Sequence, residues 1–249
     1  MIAYPNAKIN IGLNILKKRD DGYHDISSIF YPIYNYIDIL EVVPSKSFSI
    51  KTTGLKIPGS VNICEKAYLL LKEDYDIPYI HIHLHKQIPI GSGLGGGSSD
   101  AAFTLKLINK LFRLDIDQSK LEFYANSIGA DCAFFIDNKP KYVEGVGDKL
   151  SAIPLDLSLC KIKLSVPDIH ISTEHAYSKI IPNETSSVLS REILRPVSEW
   201  RQVIKNDFES IIFNQYPEID NLKKDFYNNG AIYSSMSGTG SAVYGIFSR

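Results

Sequence analysis

Residues 79–112 read YIHIHLHKQIPIGSGLGGGSSDAAFTLKLINKLF, and the fold turns on how this stretch is read. Ile80, Ile82 and Leu84 alternate with His81, His83 and His85 in a strict period of two, which predicts a strand. The strand ends at Pro89 and runs into Ile90–Asp100, where five of the chain's 16 glycines fall between Gly91 and Gly97. A helix follows at once. Ala101, Leu105, Ile108 and Phe112 mark one face at i, i+4, i+7 and i+11, with Ser98, Ser99 and Asp100 as cap and first-turn residues. Strand, glycine loop and helix in this order bring several backbone N–H groups together at a helix N-terminus, where the dipole also favours negative charge. Phosphate is the natural ligand of such a loop.

Other readings of the stretch fit less well. Gly91, Gly93 and Gly96 satisfy G-x-G-x-x-G, but a dinucleotide-binding fold opens with this unit, and here several strands precede it. The Gly-Lys-Ser/Thr ending of a Walker A loop is missing. The three histidines share one strand face, and with no carboxylate or thiolate nearby they read as a solvated face rather than a metal site.

Upstream, Ala7–Leu16 alternates as a half-buried strand, with Ile9, Ile11, Leu13 and Ile15 on one face and Lys8, Asn10, Gly12 and Asn14 on the other. Asp20, Asp21 and Gly22 form a hairpin turn signal, and strands follow over Ile26–Val43, ending near Pro44. The spacing predicts helices over Val61–Tyr75 and Leu121–Ile128, the second stopping at Gly129. Ala130–Phe135 is then an apolar run interrupted by Asp131. Further on come a turn at Gly145 and Gly147, an extended stretch over Leu155–Pro167, and helices over Thr173–Ile180 and Trp200–Ile212. A second glycine cluster, Ser235–Phe247, contains a closing strand from Ala242. A domain boundary falls near Pro154, dividing the chain into 1–154 and 155–249.

Composition narrows the function. The chain has 249 residues, 27 basic against 28 acidic side chains and a formal charge of −1, so no domain-wide positive field is present to hold a nucleic acid. Three well-separated cysteines without C-x-x-C spacing point to free thiols in a reducing cytoplasm. Residues 1–10 lack the apolar stretch of a signal peptide, and no run approaches the ~20 apolar residues of a membrane span.

Phosphoryl transfer requires positioning, charge neutralisation and a group to handle the attacking hydroxyl's proton. Lys8 and Asp131 are the candidates. An acid within A-D-C-A-F-F is costly to bury unless a cation or donor meets it, and a lysine on the inner face of the first strand is such a cation. On the other reading Asp131 caps a helix end and Lys8 is a surface lysine. The residues alone leave both open.

Taken together, P-N-A-K-I-N-I-G-L-N-I, D-G-Y-H-D-I, I-P-I-G-S-G-L-G-G-G-S-S-D-A-A, G-A-D-C-A-F-F and S-G-T-G-S, in this order from Pro5 to Phe247, resemble the GHMP kinase superfamily. The A-K-I-N strand followed by D-G-Y-H resembles, within it, the 4-diphosphocytidyl-2-C-methyl-D-erythritol kinase family. The resemblance implies an α+β, two-domain GHMP kinase fold: an N-terminal, ATP-binding domain like ribosomal protein S5 domain 2 and a ferredoxin-like C-terminal domain. It implies phosphoryl transfer from ATP, with Mg²⁺, to the tertiary hydroxyl of the small-molecule substrate cytidine diphosphate methylerythritol, in non-mevalonate isoprenoid precursor synthesis, by a cytoplasmic monomer or homodimer. Lys8 and Asp131 become the catalytic pair, Asp131 accepting the hydroxyl proton or orienting the hydroxyl. Pro89, Ile90, Gly91, Ser92, Gly93, Leu94, Gly95, Gly96, Gly97, Ser98 and Ser99 would cover the ATP phosphates, Ser99 being a candidate metal contact. Tyr23 and His24 would hold the cytosine, Tyr177 would supply the opposite aromatic wall, and Asn10 would lie near the methylerythritol. Asn6, Ser92 and Ala133 depart from the family's usual residues, and the chain is somewhat shorter. Gly238 and Gly240 would either approach the substrate diphosphate or permit a tight turn.

Overall fold

A computed structural model describes residues 1–59, 61–184 and 188–249. In chain order the strands are β1 Ile2–Ala3, β2 Asn6–Lys18, β3 His24–Ile37, β4 Ile39–Pro44, β5 Ser49–Gly54, β6 Ile80–Lys86, β7 Lys141–Glu144, β8 Lys149–Ala152, β9 Cys160–Ser165, β10 Tyr233–Met236 and β11 Val243–Ser248. The helices are α1 Ile63–Asp74, α2 Gly96–Phe112, α3 Gln118–Ile128, α4 Phe134–Asp137, α5 Thr173–Lys179, α6 Leu189–Glu192, α7 Trp200–Val203, α8 Glu209–Gln215 and α9 Pro217–Asn228, with a 3₁₀ turn at Val197–Glu199.

The chain forms two compact units. The first comprises Met1–Lys8, Pro32–Ile90 and Gly95–Lys139; the second comprises Ile9–Tyr31, Gly91–Leu94 and Pro140–Arg249. These units interleave along the chain, because β2 and β3 each contribute residues to both. The division at Pro154 is a linear one and so a different partition.

In the first unit a four-stranded sheet has the order β1-β4-β6-β5, with β6 antiparallel to β4 and parallel to β5. Ile80, Ile82 and Leu84 of β6 are buried, as are Tyr68 and Leu71 of α1 and Leu105 and Ile108 of α2, and α1 packs on α2. The histidine face of β6 is not simply solvated. His81 bonds Ser49 at 2.8 Å, and His83 and His85 both bond Thr53 at 3.0 Å, because parallel pairing puts these β5 hydroxyls beside them. Among the described residues no group of His, Cys, Asp and Glu could hold a metal ion.

In the second unit β2-β3-β7-β8 form one sheet and β10-β11-β9 another. Leu13, Ile15, Ile26, Phe208, Ile212, Ile219, Met236 and Val243 share its core. Two expectations change here. β2 is buried on both faces from Asn6 to Ile15 rather than half-buried. Its polar face is covered: Gly12, at φ +70°, lies so close to Ile204 and Leu189 that a Cβ would come within 2.9 Å of each.

The helix expected over Trp200–Ile212 is broken. Leu13 donates to the Lys205 carbonyl at 3.0 Å and accepts from the Asp207 amide at 2.9 Å, so this segment runs extended along β2. Asn206 then restarts the helix, its side-chain oxygen accepting from the Phe208 amide at 3.0 Å. Helix α9 was not expected, although Pro217 in its first turn and the spacing of Ile219, Leu222 and Phe226 carry the signal.

Candidate active site

Lys8 stands on β2 and Asp131 in the turn between α3 and α4, within the same compact unit. Lys8 Nζ lies 3.4 Å from Asp131 Oδ2, the lysine side chain 4% exposed and the aspartate 32%. Lys8 is therefore no surface lysine. Asp131, for its part, lies partly open beside this cation.

The start of α2 is built around two lysines. Gly95 is its N-cap, in the left-handed region at φ +70°, and makes no side-chain capping bond. A Cβ on Gly95 would come within 3.1 Å of the Lys8 stem and of the Phe135 ring, and one on Gly96 within 2.9 Å of Lys86 Nζ. The two glycines thus leave room for consecutive lysine contacts at the helix N-terminus. Ser98, Ser99 and Asp100, expected as cap and first-turn residues, lie three to five positions past the N-cap Gly95, because α2 already starts at Gly96. Ser99 Oγ is buried without a hydrogen-bond partner among the described residues.

Lys86, Asp38 and Asp100 form a sealed cluster that the sequence reading missed. Lys86 Nζ donates to Asp38 Oδ2 and, at 2.6 Å, to Asp100 Oδ2. Asp38 Oδ1 accepts from the amides of Gln87 at 2.6 Å and Ile88 at 2.9 Å, which ties down the chain entering the glycine loop. Burial pushes Asp100 up to about 8; Lys86 pulls against this and Asp38 reinforces it. The signal lay in the period of β6. Lys86 follows Ile80, Ile82 and Leu84 at i+2, so alternation alone puts it on the apolar face.

In the second unit the two glycine clusters meet. A Cβ on Gly93 would come within 2.0 Å of the Ser237 carbonyl oxygen, Ser237 Oγ donates to the Gly93 carbonyl at 2.8 Å, and Ala242 N donates to Ser92 O at 3.0 Å. Gly240 N bonds Ser237 O at 3.0 Å, and a Cβ on Gly240 would meet Met236 Sδ at 2.7 Å. Gly238 and Gly240 both take positive φ in this turn, +58° and +91°, and a Cβ on Gly238 would come within 3.2 Å of the Gly93 Cα. Asn10 is buried; its Nδ2 donates to Ser28 Oγ at 2.9 Å, and its carbonyl accepts from Tyr244 at 3.0 Å.

A cavity of about 580 Å³ in this unit is lined by Lys18, Tyr23, His24, Thr173, Glu174 and Tyr177. Tyr23 is exposed at its edge, whereas His24 is buried. The His24 and Tyr177 ring centroids are 5.2 Å apart, and Tyr177 stands edge-on to Phe208 at 4.9 Å. Tyr177 thus packs against His24 in the lining of the cavity that Tyr23 also borders. Burial, and then the charge of Lys18, lower the His24 pKa, which leaves a neutral imidazole that both donates and accepts at neutral pH.

The family model for the GHMP kinases N terminal domain matches residues 62–139, and that for the GHMP kinases C terminal domain matches 192–249. The chain is 49% identical to the 4-diphosphocytidyl-2-C-methyl-D-erythritol kinase of Bacteroides fragilis, over 100% of this chain and 92% of that protein. Against the same enzyme of Bacteroides thetaiotaomicron the identity is 48%, over 99% and 92%. A crystal structure of 4-(cytidine 5'-diphospho)-2C-methyl-D-erythritol kinase superposes with a TM-score of 0.83 at 29% identity, covering 99% of this chain and 90% of that one. Mevalonate and phosphomevalonate kinases, at 12–13% identity and TM-scores of 0.69–0.71, share the fold. The glycine loop, the Lys8–Asp131 pair and full-length identity near one half converge: the chain belongs to the 4-diphosphocytidyl-2-C-methyl-D-erythritol kinase family of GHMP kinases.

Proposed function

We propose that this chain transfers the γ-phosphoryl group of ATP to the tertiary 2-hydroxyl of 4-diphosphocytidyl-2-C-methyl-D-erythritol, giving the 2-phosphate and ADP in non-mevalonate isoprenoid precursor synthesis. The observation that carries this reading is the Lys8–Asp131 pair, with the acid a third exposed and the lysine stem lying on the glycine that caps α2. Asp131 hydrogen-bonds the attacking hydroxyl, orients it and takes its proton as the O–P bond forms. Lys8 balances the carboxylate and stabilises charge developing on the transferred group. The uncapped N–H groups at the start of α2, aligned with the helix dipole, hold phosphate oxygens, and residues 89–99 supply the cradle.

Mg²⁺ fits as a cation carried by the nucleotide. Among the described residues no acidic or histidine cluster could hold it, but the buried Ser99 Oγ lacks a partner and would be its protein contact. When bound, the ion neutralises phosphate charge. His24 offers a neutral donor–acceptor pair to the edge of the cytosine, exposed Tyr23 offers a face for stacking, and Asn10 serves the methylerythritol end. We keep 1–154 and 155–249 as the N- and C-terminal family domains, since they contain the matched segments 62–139 and 192–249. The chain works as a monomer or homodimer in the cytoplasm, a compartment consistent with free Cys64, Cys132 and Cys160.

The test is ADP release from ATP and Mg²⁺ with and without the cytidylylated alcohol. Turnover is expected only in its presence, with one ADP per alcohol consumed. Turnover of a different alcohol, with this one inert, would overturn the assignment.

A further inference from the structure

Asp131 sits in a hydrogen-bonded piece of chain that runs to Asn138: Cys132 N bonds Gly129 O at 3.0 Å, Phe135 N bonds Cys132 O at 3.1 Å, and Asn138 N bonds Phe134 O at 2.8 Å. Lys106 Nζ fixes the far side of this piece by donating to the carbonyls of Phe135 at 3.3 Å and Ile136 at 3.1 Å. Lys8 sits on a separate piece, β2. Two residues before it, and so on the same strand face, stands the buried Asn6. Asn6 and Asn138 face each other as a reciprocal amide pair. Asn138 Nδ2 donates to Asn6 Oδ1 at 2.7 Å, and Asn6 Nδ2 donates to Asn138 Oδ1 at 3.3 Å. Asn6 Nδ2 also donates to its neighbour's carbonyl, that of Ala7, at 2.9 Å, and Tyr34 donates to the Asn138 carbonyl at 2.9 Å.

The strand bearing the lysine and the turn bearing the acid are thus joined by an ionic bridge and an amide bridge. Lys8 and Asp131 meet at 3.4 Å, longer than the 2.7–2.9 Å of a tight charged hydrogen bond. No tight hydrogen bond fixes this pair, and the amide pair supplies a second tie between the two pieces. We infer that Asn6 and Asn138 are positioning residues, an amide staple that sets the separation of Lys8 and Asp131. The inference rests on the proposed roles of that pair. Asn138 suits the task because it terminates α4 in the left-handed region, at φ +57°, where asparagine is tolerated and its side chain is free to turn towards β2.

Asn138→Gly keeps the left-handed backbone and removes only the amide, and Asn6→Ala removes its partner. Each is expected to lower kcat about tenfold, with KM for ATP and for the alcohol changed less than twofold. The double variant should be no worse than the poorer single one within twofold, since the two amides act as a unit. The decisive arm repeats both substitutions in Asp131→Asn, measured on its residual turnover: with no carboxylate left to position, neither should lower kcat further. An undiminished tenfold loss in that background, additive singles, or wild-type kcat in Asn138→Gly would overturn the staple. Should Asn6→Ala fail to fold, Asn138→Gly decides alone. Asp131→Asn with kcat within tenfold of wild type would instead overturn the reading of the pair itself, and the staple with it.

Discussion

Lys8 meets the Asp131 carboxylate at 3.4 Å, and that carboxylate remains 32% exposed; Lys86 meets those of Asp38 and Asp100, and these three side chains are each at most 2% exposed. Both lysines lie against the first residues of α2, one at Gly95 and the next at Gly96. Their surroundings separate their uses. A sealed carboxylate can exchange bonds only with its permanent neighbours, so the Lys86 cluster can fix the backbone around the loop but cannot receive a substrate. A partly open carboxylate beside a buried ammonium keeps a side free for a hydroxyl, and little of the fold depends on it. The same pair of residue types therefore serves anchoring in one place and chemistry in the other, with solvent access as the distinguishing quantity.

The sharpest way to break this contrast is Asp131→Asn. The amide keeps the shape and loses the proton acceptor, so kcat should fall at least about 10³-fold, within the range known for a positioned acid–base group. Lys8 is buried and loses an acceptor that is itself partly exposed, so stability should fall by about 1–3 kcal/mol, less than removing the cation of the sealed cluster. Steady-state kinetics and a thermal melt check both halves. A variant that lost its fold along with its activity would place Asp131 with the anchoring cluster.

Lys86→Met is the converse. It leaves two carboxylates buried without their cation, and removing one partner of a buried pair costs about 3–5 kcal/mol. For a chain of this size that is a fall in Tm of about 10 °C. At a temperature where the variant is folded, kcat should stay within about tenfold of wild type, because Lys86 touches no reacting atom in the proposed mechanism. A melt unchanged within about 2 °C, less than a 1 kcal/mol change would give, would show that the cluster does not anchor the loop.

Which parts of this contrast could be read from the sequence depends on whether the deciding neighbour is near in the chain. The strand, glycine loop and helix were legible because period two, five glycines and period 3.6 follow one another within residues 79–112. Asp131 stood out as one acid in an apolar run, but the choice between a cation-paired acid and a helix-end cap depends on Lys8, more than a hundred residues away. Lys86 was legible in principle, since alternation places it with the isoleucines; the histidines drew the reading to the opposite face. The break at Ile204–Asp207 could not be foreseen from local spacing, because it is made by backbone bonds to Leu13. The Tyr177–His24 contact was likewise beyond local pattern, which supplied two aromatic residues but not their spacing.

Asp100→Asn tests the finest distinction, that the sealed cluster has one cation for two acids. Burial alone would lower the Lys86 pKa, but the carboxylates of Asp100 and Asp38 outweigh it and raise it, so the ammonium stays charged. It cannot neutralise both acids, and burial pushes Asp100 up to about 8, reinforced by repulsion from Asp38. The ordinary aspartate value is 3.8, so over the interval from about 4 to 8 the folded state binds a proton that the unfolded state releases. Stability contributed by this group is present in full at the acid end, declines as pH rises through the interval, and levels off above about 8. The slope cannot exceed about 1.4 kcal/mol per pH unit for one proton. An amide in place of the Asp100 carboxyl does not titrate, so denaturant melts of the variant should lose less stability than wild type between pH 5 and 8, the two running parallel above that. Parallel curves for Asp100→Asn and wild type throughout would mean that the cluster holds both acids ionised, and the contrast between the two lysines would rest on exposure alone.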